Sequence, residues 1–176
     1  ADKIGDKSGM GNSLNNMGLV FFYKGNYDKA LENHIESLKI KEEIGDKIGM
    51  GNSLNNIGII YKNKGEYDKA LYYHSSSLKI KEKIGIKHGI GASLNNIGTI
   101  YFRKVEYDKA LDYYNRSLLK YEEIGNKQGI GRCHINIGNI YHQKGDYEKS
   151  LYYFNTSLNI RIKLDNKYEI GNFIKR

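Results

Sequence analysis

Proline and tryptophan are absent from the 176 residues, and cysteine occurs once, at Cys133. A single cysteine excludes an internal disulfide framework. No apolar run approaches the roughly 20 residues that a membrane-spanning helix needs, and no signal-peptide pattern opens the chain. These absences predict a soluble segment without membrane attachment, and we expect it in the cytoplasm.

Acidic residues are missing from four evenly spaced stretches, although the chain has 20 of them in total. Because these stretches contain no Asp or Glu, a surface built from them is expected to be neutral to basic, and the formal net charge of the whole chain is +8. The four stretches are 9–24, 49–64, 89–104 and 129–144.

The spacing of these stretches reflects an internal repeat of 40 residues. The segment 9–48 returns as 49–88 with 26 of 40 positions identical, and it returns twice more from Gly89 and Gly129. A fixed period of roughly 20 to 50 residues indicates an array of similar supersecondary units, each of which buries its apolar face only against its neighbours. The sequence therefore predicts a solenoid.

Each period is predicted to contain two helices, the first over about 12–24 and the second over about 27–44. Leu14, Met17 and Phe21 fall at helical spacing in the first, and the second has a similar apolar stripe. Strands are disfavoured because apolar and polar residues do not alternate. Two apolar stripes per period can pack against each other.

Glycines are expected to close the helices. Gly45, Gly85 and Gly125 stand where a second helix would end in a left-handed conformation, which glycine adopts at the lowest cost. Val105 stands where the other repeats have a turn glycine such as Gly65. Either this turn does not need a positive φ, or it is strained.

The residues from Asn56 to Leu71, Asn-Ile-Gly-x-x-Tyr-x-x-x-Gly-x-Tyr-x-x-Ala-Leu, resemble the tetratricopeptide repeat. The pattern has the small residue at the helix crossing, the aromatic residue one turn later, the turn glycine and the alanine of the second helix. It recurs four times in phase and covers nearly the whole chain. The resemblance implies an all-α, right-handed solenoid (superhelix) of helix-turn-helix repeats, similar to the subgroup whose repeats are longer than the usual 34 residues.

The period divides the chain into the tail of a preceding repeat at 1–8, four repeats, and the start of a further or capping helix at 169–176. Because both ends fall inside the period, we expect a fragment of a longer array. The fourth repeat is the least regular, since His134 replaces a core leucine and Asp165 replaces the closing glycine. The four repeats are 9–48, 49–88, 89–128 and 129–168.

In this family the first helices line the concave face, and here they carry mostly asparagine. The asparagine amide presents an acceptor beside a donor, which matches the hydrogen-bonding pattern of an extended peptide. Arg103 and Arg132 are suited to paired contacts with a carboxylate. The predicted peptide-binding residues are Asn12, Asn15, Asn16, Asn52, Asn55, Asn56, Lys62, Asn95, Asn96, Arg103, Arg132, Asn136 and Asn139.

One row of these asparagines has a structural alternative. The asparagine just before Ile-Gly or Met-Gly belongs to the structural consensus of the family, so it either contacts the ligand or only bridges helices. For the row one residue earlier we favour ligand contact. The first row is Asn16, Asn56, Asn96 and Asn136, and the second is Asn15, Asn55 and Asn95.

The resemblance also restricts the partner. Chaperone-binding members need Lys and Arg on three neighbouring first helices, and at those places only Arg132 is basic here, so a chaperone tail is not expected. Adaptors of the long-repeat subgroup hold extended, often acidic peptides. The predicted partner is therefore a protein or peptide, with acidic sequences favoured.

No catalytic or metal constellation is predicted, and no cofactor is expected. His34 and His74 align with Tyr114 and Phe154, which assigns them to aromatic packing. Cys133 aligns with serines of the other repeats and is assigned to packing as well. The remaining histidines lack a third ligand at metal spacing, and the Gly-x-Gly pairs follow no strand. An enzymatic role is not predicted.

Nucleic acid is the alternative partner that the positive charge raises, because some helical repeats bind single-stranded RNA. It is disfavoured, since Lys and Glu are interleaved along the second helices, as in 39–43, and this pattern is typical of a solvated face. The predicted function is a non-enzymatic scaffold that binds an extended peptide in an asparagine-rich groove. The alternative is an architectural or self-assembling spacer of a larger signalling protein, with end-to-end self-association.

Overall fold

A computed structural model describes the backbone of residues 2–174 and the side chains of residues 6–164. Over residues 2–174 the chain forms eight α-helices and no strand, which confirms the predicted all-α repeat fold. Helices occur in pairs that return every 40 residues. They are α1 Asp2–Tyr23, α2 Tyr27–Glu43, α3 Lys47–Asn63, α4 Tyr67–Lys83, α5 Lys87–Arg103, α6 Tyr107–Glu123, α7 Lys127–Gln143 and α8 Tyr147–Ile174.

Every connection between consecutive helices has three residues, and the middle one adopts a positive φ. At the end of α2 the N–H of Gly45 donates to the carbonyl of Glu42 at 3.1 Å, and the N–H of Asp46 donates to that of Lys41 at 2.9 Å. These bonds satisfy carbonyls that a helix end leaves unpaired. The predicted left-handed closure at Gly45, Gly85 and Gly125 is confirmed.

The first helix of each repeat begins earlier than the sequence indicates. The expected start of α3 is Asn52, whereas the helix begins at Lys47. The side chain of Asp46 accepts a hydrogen bond from the N–H of Gly49 at 2.9 Å and caps the helix there. A good cap therefore keeps a glycine-containing segment helical in spite of its low propensity.

The chain divides into two compact units, an N-terminal unit of residues 1–89 and a C-terminal unit of residues 90–176. In the N-terminal unit α3 packs against both α2 and α4. Its core contains Ile57 and Ile60 of α3, which pack with Leu31 of α2. The core therefore lies where a first helix meets the preceding second helix.

The C-terminal unit repeats this arrangement, with α7 packed against both α6 and α8. Ile137 and Ile140 of α7 pack with Ala110 and Tyr114 of α6. Buried serines add a polar contact within each repeat, as where Ser117 Oγ donates to the carbonyl of Gly91 at 2.7 Å. Each repeat is thus joined internally by one buried hydrogen bond as well as by apolar packing.

Val105 is the only non-glycine residue with a positive φ in residues 2–174, and its φ is 63°. The turn therefore does need the left-handed conformation, which settles the question that the sequence leaves open. A β-branched side chain in this region is a conformational outlier, destabilised by roughly 1–2 kcal/mol. Its side chain is exposed, so it gains little packing in return.

Val105→Gly is therefore expected to stabilise the protein, by about 0.5–1 kcal/mol once the greater chain entropy of glycine is subtracted. The reciprocal change Gly65→Val introduces the same strain in the equivalent turn, where no atom lies within 4 Å of an added Cβ. It should lower the free energy of unfolding by about 0.5–1 kcal/mol, because the loss of glycine's chain entropy offsets part of the strain. Chemical denaturation of both variants checks this, and equal stability of Val105→Gly and the parent chain would contradict it.

The second helix of the fourth repeat is longer than the others. The period predicts an end near Leu164, but α8 continues through Asp165 to Ile174. No glycine stands at Asp165 to close the helix, unlike Gly45 at the end of α2. The predicted further helix at 169–176 thus falls on the continuation of α8, and its last two residues lie outside the described part of the chain.

Candidate functional site

Asparagine side chains connect the first helices to each other within each unit. In the N-terminal unit Asn56 Nδ2 of α3 donates to Asn15 Oδ1 of α1 at 3.0 Å. In the C-terminal unit Asn136 Nδ2 of α7 donates to Asn95 Oδ1 of α5 at 2.8 Å. The same amide bridge therefore recurs between equivalent positions of consecutive repeats.

The accepting and the donating asparagine of each bridge differ in the hydrogen-bonding groups that they have left for other partners. The oxygen of Asn15 also lies 3.1 Å from His34 Nδ1, and Asn95 is buried, with 6% of its surface exposed. Asn56 and Asn136 are half-buried, and the side-chain oxygen of each accepts no bond from residues 6–164. Asn56 and Asn136 thus each keep one carbonyl oxygen and one N–H for another partner.

Other asparagines of the first helices are more exposed. Asn12 Oδ1 accepts a hydrogen bond from the buried Lys41 Nζ at 2.6 Å. Asn16 and Asn52 are exposed and make no side-chain hydrogen bond to the residues whose side chains are described. These two amides are therefore open to solvent.

The remaining predicted residues lie at intermediate depth or at the surface. Arg103 and Arg132 are exposed, and no carboxylate of residues 6–164 lies within ion-pair distance of either. Both guanidinium groups can therefore bind an external carboxylate. The half-buried residues are Asn55, Lys62, Asn96 and Asn139, of which the first three make further polar contacts.

Aromatic side chains gather where a first helix ends. Phe22 contacts the ring of Tyr23 edge-on at 5.5 Å, and it also lies 5.8 Å from Tyr27. In the C-terminal unit Phe102 lies 5.7 Å from Tyr107 in the same way. The phenyl rings thus pack into the turn, whereas Tyr23 is 83% exposed.

His34 and His74 fill the aromatic packing position of the second helix, as the sequence predicts, and both are buried. Desolvation lowers the pKa of His34 to about 4. For His74, desolvation together with the nearby charges of Lys62 and Lys81 lowers the pKa to about 3, and neither ring nitrogen has a hydrogen-bond partner. Both imidazoles are therefore neutral at pH 7.

The single cysteine also has the packing role that its alignment predicts. Cys133 is fully buried, and its thiol donates to Ser117 Oγ at 3.3 Å. Burial raises the pKa of the thiol to about 11. His134, the replacement for a core leucine, is half-buried, and its ring lies 5.7 Å from that of Tyr153.

The sequence interpretation of the second helices as fully solvated faces is wrong at two positions. Lys41 and Lys81 are buried, with 3% and 5% of their surface exposed. Lys41 is paired with Asp46 Oδ2 at 3.1 Å, and desolvation lowers the pKa of Lys81 to about 8. An alignment of the repeats could have indicated this burial, because the third repeat has an aromatic residue, the buried Tyr121, at the equivalent position.

No helix in residues 2–174 is long and apolar enough to cross a membrane. Among the residues with described side chains, no three His, Cys, Asp or Glu come together as a group that could hold a metal ion.

The sequence profile of the tetratricopeptide repeat matches residues 9–83 and 89–163. These two segments cover most of the chain. The chain belongs to the tetratricopeptide repeat family. The resemblance drawn from the motif is therefore confirmed, and the helix pairs described above are tetratricopeptide repeats.

Several solved structures share this tetratricopeptide fold. BtubC (BKLC) from P. vanneervenii has a TM-score of 0.78 and 21% identity over 88% of this chain and 64% of its own. Aspartyl phosphate phosphatase F from Bacillus subtilis has a TM-score of 0.86 and 15% identity over 95% of this chain and 44% of its own. A Rap protein complexed with Competence and Sporulation Factor has a TM-score of 0.82 and 16% identity over 98% and 47%.

At these identities the similarity establishes the fold. The chain spans between 44% and 64% of the length of these three proteins. No curated protein matches the sequence.

Proposed function

We propose that this tetratricopeptide chain is a protein-interaction scaffold whose first helices bind an extended, acidic peptide or partner segment. The observation that carries the proposal is the pair of amide bridges between first helices. Each bridge fixes two asparagines in place while Asn56 and Asn136 keep a free carbonyl oxygen. A fixed amide can bind a peptide backbone without first losing side-chain entropy.

Backbone recognition would use the amides of the first helices. The oxygens of Asn56 and Asn136 can accept N–H groups of a peptide, and the exposed Asn16 and Asn52 offer both a donor and an acceptor. Each such hydrogen bond contributes roughly 0.5–1.5 kcal/mol net. These contacts support binding without selecting a sequence.

Selection for acidic side chains would come from charge. Helices α3, α5 and α7 contain no Asp or Glu, and Arg103 and Arg132 are exposed without an ion-pair partner in residues 6–164. An arginine–carboxylate contact is charge-assisted and about twice as strong as a neutral hydrogen bond. One structural relative, the Rap protein complexed with Competence and Sporulation Factor, supports a binding role for the fold. We propose no catalytic role and no cofactor.

Selection from a phage-displayed library of random linear peptides tests this function. The parent chain should enrich peptides that share acidic residues. The double variant Asn16→Ala/Asn52→Ala should bind the enriched peptides about tenfold more weakly with an unchanged melting temperature, because both amides are exposed. Arg103→Ala/Arg132→Ala should lose tenfold or more.

Two further variants serve as controls for this test. Tyr72→Ala removes an exposed side chain from α4, a second helix, and should leave affinity unchanged. Asn56→Ala breaks an amide bridge and should lower the melting temperature as well as the affinity. If the library yields no shared motif, or if the arginine variants bind as well as the parent, the proposed groove is refuted.

A second function is favoured by one observation, namely the exposed apolar residues on the outer faces of α1 and α8. We propose that the chain also self-associates end to end, so that it can serve as an architectural spacer. Exposed apolar patches of this kind mark interaction surfaces. This role is independent of peptide binding, because the residues involved differ.

A further inference from the structure

Helix α1 exposes the apolar residues that its equivalents bury. Met17 and Val20 are 50% and 53% exposed, whereas the residues 40 positions later, Ile57 and Ile60 of α3, are 0% and 1% exposed. In the N-terminal unit α3 reaches this burial by packing against α2. Within residues 2–174, the outer face of α1 is thus a first-helix face that lacks the packing which α2 gives to α3.

Helix α8 exposes the complementary face. Tyr147, Leu151 and Leu158 are 62%, 61% and 54% exposed. Their equivalents in α2, which lie 120 positions earlier, belong to the apolar cluster that includes Ile57 and Ile60. The corresponding residues of α6 pack in the same way around Ile137 and Ile140 of α7. The outer face of α8 is therefore built as the partner of a first-helix face.

From these two faces we infer how copies of the chain associate, an inference that rests on the self-association proposed above. We propose that α8 of one copy docks on α1 of the next in the geometry with which α2 packs on α3. Leu151 would then contact Met17 and Val20 of the neighbouring copy, as Leu31 contacts its cluster partners. The second copy is the expected occupant because the same contact already occurs inside each unit.

Charge supports the same register. In the N-terminal unit Lys64 Nζ, just after α3, pairs with Asp28 Oδ1 at the start of α2 at 2.9 Å. In the C-terminal unit Lys144 pairs with Asp108 at 2.6 Å. The corresponding residues at the two ends are Lys24 and Glu148. Both are exposed without an ion pair in residues 6–164, so the docked copies would bring opposite charges together.

A polar contact supports the register as well. Ser37 Oγ of α2 lies 3.2 Å from Ser53 Oγ of α3 in a buried position. The equivalent residues of α8 and α1 are Ser157 and Ser13, and Ser13 is exposed. Docking would bring these two hydroxyls together, so the apolar, ionic and hydroxyl contacts all agree on one alignment.

This interface joins two different surfaces, so it is heterologous. A heterologous contact extends into rings or filaments, whereas a symmetric contact between identical faces stops at a dimer. The prediction is therefore directional. Each copy has one acceptor face on α1 and one donor face on α8.

Complementation between two variants of the full chain tests this direction. Leu151→Asp blocks the α8 face and Val20→Asp blocks the α1 face, and both positions are exposed enough to tolerate the change. Sedimentation velocity over a concentration series should show that the parent assembles, while each variant alone stays at the monomer mass of 20.2 kDa. An equimolar mixture should form a complex of twice that mass and grow no further.

Leu119→Asp provides the matched control, because it introduces the same charge at an exposed leucine of α6 outside both faces. It should assemble like the parent, and circular dichroism should show that all three variants keep their helices. A charge reversal adds a second test. Lys24→Glu should weaken assembly by about threefold to tenfold, and the double variant Lys24→Glu/Glu148→Lys should restore it.

The outcomes separate the two proposals. A parent chain that stays monomeric at every concentration overturns both self-association and this mode of docking. Assembly that survives in either single variant, or a mixture that stays monomeric, overturns head-to-tail docking while leaving self-association standing. Peptide binding is measured separately, since Met17, Val20 and Leu151 are not part of the proposed groove.

Discussion

Replacing His74 with phenylalanine is expected to remove about 2–3 kcal/mol of acid-induced destabilisation between pH 7 and pH 4.5. Burial lowers the pKa of this imidazole to about 3, compared with 6.5 in an unfolded chain. Between these values the unfolded state binds the proton and the folded state does not. The free energy of unfolding is therefore unaffected by His74 above pH 6.5, and protonation of His74 in the unfolded chain lowers it as the pH falls toward 3.

Phenylalanine is the right replacement because the fourth repeat has Phe154 at the equivalent position. Tyrosine suits the third repeat, where Tyr114 Oη donates to Thr99 Oγ1 at 3.3 Å, but α3 has Ile59 instead of that threonine. Phenylalanine also removes two buried ring nitrogens that lack partners, so the variant should be more stable even at pH 7.

Urea denaturation at pH 7 and pH 4.5 measures the effect as the difference between parent and variant. The reciprocal variant Tyr114→His places an imidazole in the C-terminal unit, where it should introduce a comparable acid sensitivity. If the parent and His74→Phe lose equal stability on acidification, the neutral buried state of His74 is not the cause.

Gly58→Ala is expected to lower the free energy of unfolding by about 1–3 kcal/mol, which is the usual effect of overpacking a tight core. A Cβ at Gly58 would lie 2.9 Å from three atoms of the His74 ring, and this ring is fully buried and cannot move aside. The gain in helix propensity from alanine, about 1 kcal/mol, does not offset this clash.

Gly51→Ala in the same helix is the matched control. Its nearest neighbour would be Lys81 Cε at 3.4 Å, which is an ordinary van der Waals contact. This variant should therefore be as stable as the parent or up to about 1 kcal/mol more stable. Thermal denaturation ranks the two glycine variants. A Gly58→Ala protein that is more stable than Gly51→Ala would disprove the close contact between Gly58 and the His74 ring.

The fold could be predicted because its signals are repeated four times. The 40-residue period, the glycines at positive φ such as Gly45, and the apolar stripes all specify helix pairs, and each is present in the structure. The packing roles of His74 and Cys133 followed from alignment with Phe154 and with serines of other repeats. Because there are four repeats, the sequence shows several residue types that are accepted at each structural position.

What could not be predicted depends on side-chain geometry across helices. Sequence spacing places Asn15 and Asn95 at equivalent positions of their own helices, α1 and α5. It does not show that their side-chain oxygens accept hydrogen bonds from Asn56 and Asn136, which the structure does. Burial of Lys41 was missed because a lysine within a charged run looks solvated, whereas its amine reaches Asn12 and Asp46. The start of α3 was missed because its first turns contain glycines, which have a low helix propensity, although Asp46 caps the helix there.

Nuclear magnetic resonance of the asparagine side-chain NH₂ groups tests the central claim most directly, using the tightest peptide from the library selection. If the peptide lies along the first helices, titration should shift the NH₂ signals of Asn16, Asn52 and Asn56 and the guanidinium signals of Arg103 and Arg132. Signals of Asn33 and Asn115, which belong to α2 and α6, should not move. Shifts confined to the second helices would contradict the proposed groove.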